Sequence, residues 1–574
     1  MQNEVNGRRD FMINSSLVFS ALTIQGPHFM NTQKENHHHE VLKKLSSIND
    51  QHIEGLLKKQ LPVNGDRWSG GVKDKFEVPN VHSTFGFIFK LGSAFLVPYS
   101  KFYRSDRLLL ALTNAMDCVL NVQHSDGTID LHSTNFHSTP DTAFMVNYLS
   151  PIYVCFKELK DANSAPLLTR MEAFLRNASK CLLVGGAHTA NHRWVICSAL
   201  SRINHFFPSK KYLDRIEDWL AEGIDLDPDG QYTEMSVGSY SPVCDEMFIT
   251  MGRLLDKEDF LDVSRKNLEM TLYYIQPGGE VLTDASGRQD SEQIAHVSGY
   301  YYSYLYFAHL YKNPVYSAVC EFIETHLAHQ ITHYIPYLLE DHIFETERVA
   351  SSEIPKNYFK NFSHSGVIRI RQSEFDVSII ENNPTFLSLI KGAAVLQSVR
   401  LGSTFFGSRG QFIAENTEIK NNQIILTKSV KHGYFQPYPK EKIIGDGVYN
   451  KMRREERKLS EAQIIQYKLI ITQLDQKIQL AIEVTGTEHV LVSLEMNFRK
   501  GGELSGVISD QNRADSYFLK EGWGTYTKDE SVITFGPGKI EHQWGTMRGM
   551  HEKPHGKTVY INGHTPFKHV LEIR

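Results

Sequence analysis

The sequence predicts an α+β protein of two large units, an N-terminal (α/α) toroid followed by a C-terminal antiparallel β-sandwich. From about Val41 to Ile343, apolar residues recur mainly three and four positions apart, which is the spacing of helices with one buried face. Near Phe359 the spacing changes to two, which is typical of β-strands. Because the two patterns occupy separate halves of the chain, they predict two domains with a crevice between them.

The first forty residues (1–40) are predicted to form an export signal and a linker. Arg8 and Arg9 precede a moderately apolar run from Phe11 to Ile24, as they do in a twin-arginine signal. We therefore expect the protein to be exported, to the periplasm of a bacterium. Three consecutive histidines, beginning at His37, stand in the polar stretch NTQKENHHHE, which we interpret as linker.

The helical half, residues 41–345, is predicted to form the toroid. Polar stretches such as HSDGTID, DPDGQ and QPGGE divide its pattern into about ten to twelve helices, the number that an (α/α) toroid contains. No repeat of fixed period is visible, which disfavours a solenoid. Residues 355–574 are predicted to form the sandwich, because β-branched segments such as KLIITQLDQKIQLAIEVTG alternate with Gly, Asn and Asp turns.

The composition excludes several classes of partner. The chain has 61 Lys and Arg against 66 Asp and Glu, a formal charge of −5, so it lacks the basic excess that nucleic acids or anionic membranes attract. Its 41% hydrophobic and 22% charged residues are typical of a globular protein. No segment reaches the roughly 18 uninterrupted apolar residues of a membrane span. We expect no nucleic-acid or membrane partner, and the sequence leaves an oligomer open.

No cofactor and no metal are expected. The sequence lacks the nucleotide-binding, zinc-protease and nucleophile-elbow motifs, which argues against kinases, dehydrogenases and α/β-hydrolases. Six cysteines stand in apolar, helix-like surroundings without a C-x-x-C pair, so we expect reduced, buried thiols. They are Cys118, Cys155, Cys181, Cys197, Cys244 and Cys320.

Residues able to perform chemistry concentrate in turns of the helical half. In the segment HSTNFHSTPDTAF (132–144), Pro140 marks the start of a helix. Asp141 beside it either caps that helix or places a carboxylate at the mouth of the toroid. Both interpretations remain open at this point.

A second segment, GGAHTANHRWV (185–195), combines amide, imidazole, guanidinium and indole groups at the entry to an apolar helix. Arg and Asn can bind a sugar carboxylate, while an indole can stack on a pyranose ring. The alternative is an ordinary helix cap by Asn191 with Trp194 in the core. The candidate substrate-binding residues are His188, Asn191, His192, Arg193 and Trp194.

Two further loops carry carboxylates. The segment DPDGQYTEMSVGSYSPVCDEMF (227–248) places Glu234 and Tyr240 in a Ser- and Gly-rich stretch, where such groups more often serve function than packing. The segment PGGEVLTDASGRQD adds Asp284 and Arg288, which alternatively form ion pairs within a surface loop.

These residues resemble those of a known group of enzymes. Asn191 and His192 at one helix start, followed by DGQYTE and Tyr240, resemble the heparinase II/III group of uronic-acid polysaccharide lyases over about residues 40–574. The resemblance implies that Asn191 neutralises a uronate carboxylate, with Tyr240 and His192 as base and acid. Those lyases carry an H-x-H-x-D strand early in the β-domain, whereas residues 386–412 here contain no histidine.

A longer run, from NHRWV to ASGRQD within about residues 130–300, more closely resembles bacterial toroid proteins associated with glycoside hydrolase family 154. That resemblance implies β-glucuronidase activity on arabinogalactan side chains. We therefore expect a hydrolase that removes terminal β-linked glucuronic acid from complex, arabinogalactan-like glycans.

Hydrolysis of a glycoside requires one protonated carboxyl and one carboxylate. We expect Glu234 and Asp141 to form this pair, with Asp284 in reserve. A uronate clamp is expected from Asn191, His192, Arg193 and Arg288. Two alternatives remain: a lyase that uses Tyr240 and His192, and a glycan-binding protein without catalysis.

Overall fold

The computed structural model describes residues 37–443 and 445–574. Its first half is helical, and its second half consists of strands, as predicted. The helices are α1 His37–Leu57, α2 Val81–Leu96, α3 Asp106–Val122, α4 Thr139–Leu159, α5 Ala165–Val184, α6 Ala190–Phe206, α7 Lys210–Leu220, α8 Tyr240–Leu255, α9 Glu258–Thr271, α10 Tyr301–Leu310, α11 Pro314–His326 and α12 Ile335–Glu340. A short hairpin, β1 Ile129–Leu131 with β2 Asn135–Ser138, precedes α4.

Helix starts follow from local sequence signals. The Asn80 side chain accepts a hydrogen bond from the Ser83 backbone N–H and so caps α2. Ser138 caps α4 in the same way, accepting from the Asp141 N–H, and Pro140 lies in the first turn, where its missing N–H costs nothing. Ser138, rather than Asp141, is therefore the cap of this helix.

The helices pack as successive neighbours around a shared interior. Helix α4 packs on α6, α6 on α8 and α8 on α9, while α2 contacts both α3 and α4. Helices α6 and α8 bury nearly all of their length, since their apolar side chains are covered on both sides. The starts of α6 and α8 are thereby fixed close together, and both carry predicted site residues.

The second half forms two packed sheets. The strands are β3 Asn357–Phe362, β4 Val367–Gln372, β5 Phe375–Ile380, β6 Leu387–Lys391, β7 Ala394–Ser403, β8 Asn416–Lys420, β9 Gln423–Phe435, β10 Leu459–Leu474, β11 Lys477–Gly486, β12 Leu491–Phe498, β13 Glu503–Ser505, β14 Ile508–Ser509, β15 Ser516–Phe518, β16 Gly524–Lys528, β17 Ser531–Gly536, β18 Lys557–His564 and β19 Phe567–Ile573.

One sheet has eight strands in the order β13-β16-β17-β19-β11-β10-β9-β8, and the other has nine in the order β14-β15-β18-β12-β7-β6-β5-β4-β3. All named pairs between these strands are antiparallel except β15 with β18. Alternate residues of β11, beginning with Ile478 and Leu480, are buried, while their neighbours are partly exposed. This period of two places one face of each sheet in a common core.

The sandwich is attached to the toroid by buried polar contacts. Arg369 on β4 donates to the Tyr273 carbonyl and pairs with Asp376, and both side chains are fully buried. Arg499 forms a two-fold hydrogen-bonded ion pair with Glu280 at 2.7 and 2.9 Å. These contacts hold the loop after α9 against the nine-stranded sheet, so the loop that carries Arg288 rests on a fixed support.

Several predictions about segments can be compared with this fold. Helix α1 begins at His37, inside the stretch interpreted as linker. The His37 imidazole lies 3.0 Å from the Glu324 carboxylate and within hydrogen-bond distance of the Arg348 guanidinium, and these contacts hold the start of the helix. The twin-arginine-like sequence lies outside the described residues. All six cysteines are free and buried, as expected. Among the described residues, no helix is long and apolar enough to cross a membrane.

Candidate functional site

The first turn of α6 presents an amide with an unused oxygen. Asn191 is 1% exposed, and its Nδ2 donates to Glu234 Oε2 at 2.6 Å and to Thr189 Oγ1 at 3.3 Å. Its Oδ1 is buried and has no hydrogen-bond partner in the described structure. A buried acceptor of this kind is costly unless a ligand satisfies it, so Asn191 is positioned to bind one.

Glu234 lies between this amide and a cation. Its Oε1 is 3.9 Å from Arg288 NH1, and its Oε2 accepts the hydrogen bond from Asn191. The carboxyl group therefore meets an N–H donor on one oxygen and a guanidinium on the other. In this position the carboxyl group can orient both Asn191 and Arg288.

Tyr240 is the first residue of α8 and faces the same guanidinium. The Arg288 guanidinium lies 5.3 Å from the centre of the Tyr240 ring, and the Gln289 side-chain amide donates to the Tyr240 hydroxyl oxygen. Since that oxygen already accepts a hydrogen bond, the phenolic hydrogen is available to another partner.

The loops that carry Glu234, Tyr240 and Arg288 are held together by Asp290. Asp290 Oδ1 accepts from the hydroxyls of Ser236 and Ser286, at 2.9 and 2.6 Å, and Oδ2 accepts from the Gly238 N–H at 2.9 Å. Ser236 in turn accepts from the Tyr240 N–H. Asp290 is 5% exposed, so this network fixes the loops without contacting solvent extensively.

Asp141 accepts hydrogen bonds from three side chains. Its oxygens lie 3.2 Å from His82 Nε2, 2.9 Å from Asn135 Nδ2 and 2.5 Å from Ser138 Oγ. Burial opposes ionisation of Asp141, but these hydrogen bonds outweigh it and lower the pKa of the carboxyl to about 2. Asp141 is therefore ionised at neutral pH, and it fixes His82 with Nε2 as donor and a free, buried Nδ1.

His192 is a neutral imidazole at neutral pH. Burial, together with nearby His188, lowers its pKa to about 4; Asp141 acts in the opposite direction and Arg288 in the same direction. The rings of His188 and His192 meet edge to face at 4.7 Å. The Nδ1 of His192 is buried and has no hydrogen-bond partner in the described structure, so no protein group at Nδ1 fixes the tautomer of the ring.

A cavity of about 490 Å³ opens beside these residues, and we call it the chamber. Helices α2, α4, α8 and α12 contribute its wall, which is mostly aromatic and aliphatic. It is lined by His82, Phe85, Gly86, Phe89, Lys90, Met145, Tyr148, Gly238, Ser239, Pro242, Val243, Glu246, Gly299, His333, Tyr334 and Tyr337. Its size is that of a small-molecule site, and His82 and Ser239 connect it to the residues described above.

The structure brings together most of the predicted site residues. Asn191, Glu234 and Arg288 form one connected group, Tyr240 joins it through Arg288, and His188 and His192 lie at its edge. Asp141 contributes to the charge around His192 but not to a pair with Glu234, because its hydrogen bonds bind it to His82 and its own helix start.

Arg193 and Trp194 do not meet the expectation of sugar contact. Trp194 is fully buried, and its indole N–H donates to Asp225 at 2.9 Å. The Arg193 guanidinium stacks on this indole and pairs with Asp225 at 2.8 Å. Trp194 lies about 200° around the helix from His192, so the two side chains point to different sides. The core alternative weighed from the sequence is therefore the correct one for Trp194.

Asp284 lies at the contact between the domains. It accepts from Ser388 Oγ at 3.0 Å and lines a separate pocket of about 50 Å³ with Glu280, Glu292 and Arg499. Burial raises its pKa to about 6. Asp284 does not line the chamber, which leaves it without a role beside Glu234.

Sequence reasoning missed two residues, His82 and Glu246. His82 stands 59 positions before Asp141, in an apolar helix whose pattern predicts only a core. Glu246 lies in the buried middle of α8, 8% exposed, and burial raises its pKa to about 7. An acidic residue within an apolar helical run is the one signal that could have identified it. Among the described residues, no group of three or more His, Cys, Asp or Glu is arranged to hold a metal ion.

Comparison with known proteins gives a fold but no family. No protein-family model matches the sequence, and no curated protein matches it. The structure is similar to the chondroitin AC lyase of Streptomyces coelicolor A3, solved with chondroitin sulphate, at a TM-score of 0.55 and 11% identity, covering 96% of this chain and 80% of that one. It is also similar to heparinase III, at a TM-score of 0.54 and 10% identity, covering 93% and 84%.

A xanthan lyase from Paenibacillus gives a TM-score of 0.58 at 10% identity, with 93% of this chain covering 57% of that protein. No comparison supports the resemblance to glycoside hydrolase family 154. At such low identities the similarities establish architecture alone, and they agree with the predicted order of helical and strand domains. The chain thus has the toroid and β-sandwich architecture found in these polysaccharide lyases.

Proposed function

We propose that the protein is a lyase that cleaves a uronic-acid-containing polysaccharide by β-elimination. The observation that carries the proposal is the grouping of a neutral imidazole, a phenol, a guanidinium and an unsatisfied amide oxygen beside the chamber. The first three are supplied by His192, Tyr240 and Arg288, and the fourth by Asn191.

β-Elimination removes the C5 proton of a uronic acid and breaks its C4–O4 bond. The C5 proton is made acidic by the adjacent carboxyl group once the charge of that group is compensated. Arg288 supplies positive charge, which stabilises the negative charge that develops on the substrate carboxyl when the C5 proton leaves. Asn191 Oδ1 is an acceptor, so it binds a hydroxyl group of the same sugar rather than that charge.

The neutral imidazole of His192 accepts the C5 proton, so His192 is the base and Tyr240 the acid, the reverse of the roles that the resemblance implied. The electron pair forms the C4–C5 double bond, and the bond from C4 to the glycosidic oxygen breaks. Tyr240 donates its phenolic hydrogen to that oxygen, which departs as the new hydroxyl of the other fragment. Proton transfer between His192, Tyr240 and solvent then restores the starting forms.

Elimination replaces the expected hydrolysis in this proposal because the two expected carboxyls are both held as hydrogen-bond acceptors. A hydrolase acting through Glu234 and Asp141 needs one of the two to be protonated. The pKa of Asp141 is about 2, and Glu234 faces Arg288 and the Asn191 amide, so both carboxyls are arranged as acceptors. The lyases that share the fold give the elimination chemistry further support.

The product distinguishes the two reactions. Wild-type protein incubated with a panel of chondroitin, heparan sulfate and xanthan is expected to release a fragment with the ultraviolet absorbance of a C4–C5 double bond. Tyr240→Phe is expected to lose this absorbance. Arg193→Lys serves as the control and retains it, because the Arg193 guanidinium is bound to Asp225 and stacked on Trp194 rather than joined to the proposed chemistry. Saturated uronic acid as the only product would contradict the proposal.

Export remains part of the proposal as well. A polysaccharide-cleaving enzyme meets its polymer outside the cytoplasm, which fits the paired arginines at positions 8 and 9. Detection of the mature protein in a periplasmic fraction, and its loss when both arginines are replaced by lysine, is the expected result.

A further inference from the structure

The chamber contains a buried acid that the proposed elimination does not use. Glu246 is 8% exposed, lies in the second turn of α8 and is one of the residues that line the chamber. Its Oε1 has no hydrogen-bond partner in the described structure. Tyr337 lies close enough to hydrogen-bond to this carboxyl. The oxygen that stays buried without a partner still costs free energy, which is unfavourable in a merely structural role.

The rest of the wall is suited to a ring with an apolar face. Phe89, Tyr148 and Tyr334 contribute aromatic surface, and Met145 and Pro242 contribute aliphatic surface. Aromatic side chains that line a cavity beside one polar group commonly bind the C–H face of a sugar ring while that group binds a hydroxyl.

One face of α2 leaves space for such a ring. Gly86 follows His82 by one helical turn, and a Cβ built on Gly86 meets no atom within 4 Å. Any larger side chain at this position would project into the chamber. The glycine therefore keeps open a volume that the neighbouring aromatic residues enclose.

We propose that the chamber is a subsite for the sugar residue joined to the uronate, that this residue is uncharged, and that Glu246 is the specificity-determining residue that hydrogen-bonds to it. That the neighbouring sugar is a uronate depends on the proposed function. That a sugar binds in the chamber is argued from the chamber's own lining. Asn191, His192 and Arg288 bind the acidic residue, and the chamber binds its uncharged neighbour.

An anionic substituent is disfavoured there by the carboxyl it would approach. Burial raises the pKa of Glu246 to about 7, with Tyr337 and Arg202 acting against that rise and Glu340 with it. Lys90 is the one lysine or arginine among the described residues that line the chamber, and it is partly exposed to solvent. A sulfate group entering the chamber would lose its bound water beside Glu246. It would gain only one cationic partner, Lys90, which is itself hydrated, so the exchange is unfavourable.

The test compares binding of two hexasaccharides that differ in charge, one from unsulfated chondroitin and one from chondroitin 4-sulfate. Isothermal titration calorimetry with the wild type is expected to show at least roughly tenfold tighter binding of the unsulfated form, the effect of one well-placed hydrogen bond. Glu246→Gln is expected to reduce this preference several-fold, and Gly86→Leu to abolish binding of both.

Control variants separate blocking from misfolding. Gly55→Leu makes the same change on the exposed face of α1, where a Cβ also meets no atom within 4 Å, and it should bind like the wild type. Gly86→Ala adds only a methyl group and favours the helix, so it should fold and weaken binding partially. Lys90→Ala should leave the preference unchanged.

Several outcomes would overturn the subsite: unimpaired binding by Gly86→Leu, no binding of either hexasaccharide by the wild type, or tighter binding of the sulfated form that Lys90→Ala abolishes. The proposed function fails separately. If Gly86→Leu removes binding and no sample ever yields an unsaturated product, elimination is wrong and the subsite stands.

Discussion

The side-chain amide of Asn191 donates a hydrogen bond of 2.6 Å to Glu234, which leaves the Asn191 carbonyl oxygen buried and free. Glu234 thereby determines which end of the amide meets a ligand. The carboxylate acts through its neighbours, in contrast to the acid or base role that the sequence suggested.

Replacing Glu234 and Tyr240 separately is expected to have unequal effects. Glu234→Gln keeps the shape and weakens only the orientation of Asn191 and Arg288, so kcat should fall about tenfold or less. Tyr240→Phe removes the proton donor, and a general acid contributes typically ~10²–10⁴-fold. Steady-state kinetics on the best polymer of the panel would measure both. A larger loss for Glu234→Gln than for Tyr240→Phe would favour a carboxyl acid.

Asp290 is expected to act as a positioning residue. Asp290→Asn replaces one acceptor oxygen by an N–H₂ group facing the Ser236 and Ser286 hydroxyls or the Gly238 N–H. The loops of Tyr240 and Arg288 should then lose their relative position, and kcat should fall by about 10² with little change in KM. A fall in Tm with unchanged kcat would show that Asp290 serves stability alone.

The pH dependence should report His192. Its pKa in the folded protein is about 4, lower than the ordinary value of 6.5, so the imidazole stays neutral as the pH falls through 6 and 5. The acid limb of kcat/KM should therefore lie near pH 4. His188→Ala removes a neighbour that lowers the pKa of His192, so the limb should move to higher pH. A limb near 6.5 in the wild type would exclude a buried His192 as the base.

Glu246 should make stability depend on pH in the opposite sense to a paired surface acid. Its pKa is about 7 in the folded protein against 4.5 as the ordinary value, so the folded state holds the proton more tightly. The contribution of this proton to the free energy of unfolding is fully present below about pH 4.5 and is lost as the pH rises through 7. Glu246→Gln should therefore gain stability over the wild type between pH 5 and 8, by up to ~3 kcal/mol. Thermal melts of the wild type and the variant at pH 5 and at pH 8 measure this difference. A Tm difference between the two proteins that is equal at pH 5 and pH 8 would contradict it.

The fold was predictable because hydrophobic periodicity is a local signal. The change of period near Phe359 coincides with β3, which begins at Asn357, and the polar stretches divide the helical half into helices as expected. Turn and cap residues such as Asn80 and Pro140 mark helix starts through contacts within a few positions. These signals require no knowledge of the distant chain.

The site was predictable only where it lies at helix starts. Asn191 and Tyr240 stand at the starts of α6 and α8, where polar residues are conspicuous in the sequence. His82 is the second residue of α2 and Glu246 lies in the second turn of α8, and both gain their surroundings from contacts with distant segments. The acidic character of Glu246 within an apolar run is the one local signal between them. Trp194 shows the opposite error, because a conspicuous aromatic at a helix start can face the core.

The mass of the fragment that carries the uronic acid tests the central claim most directly. Elimination leaves this fragment one water molecule lighter than hydrolysis does, with a single vinyl proton at C4. We predict that mass spectrometry and proton NMR of the wild-type digest show the lighter, unsaturated fragment, and that Tyr240→Phe yields none. A fragment heavier by one water, with a saturated uronic acid at its end, would contradict the account.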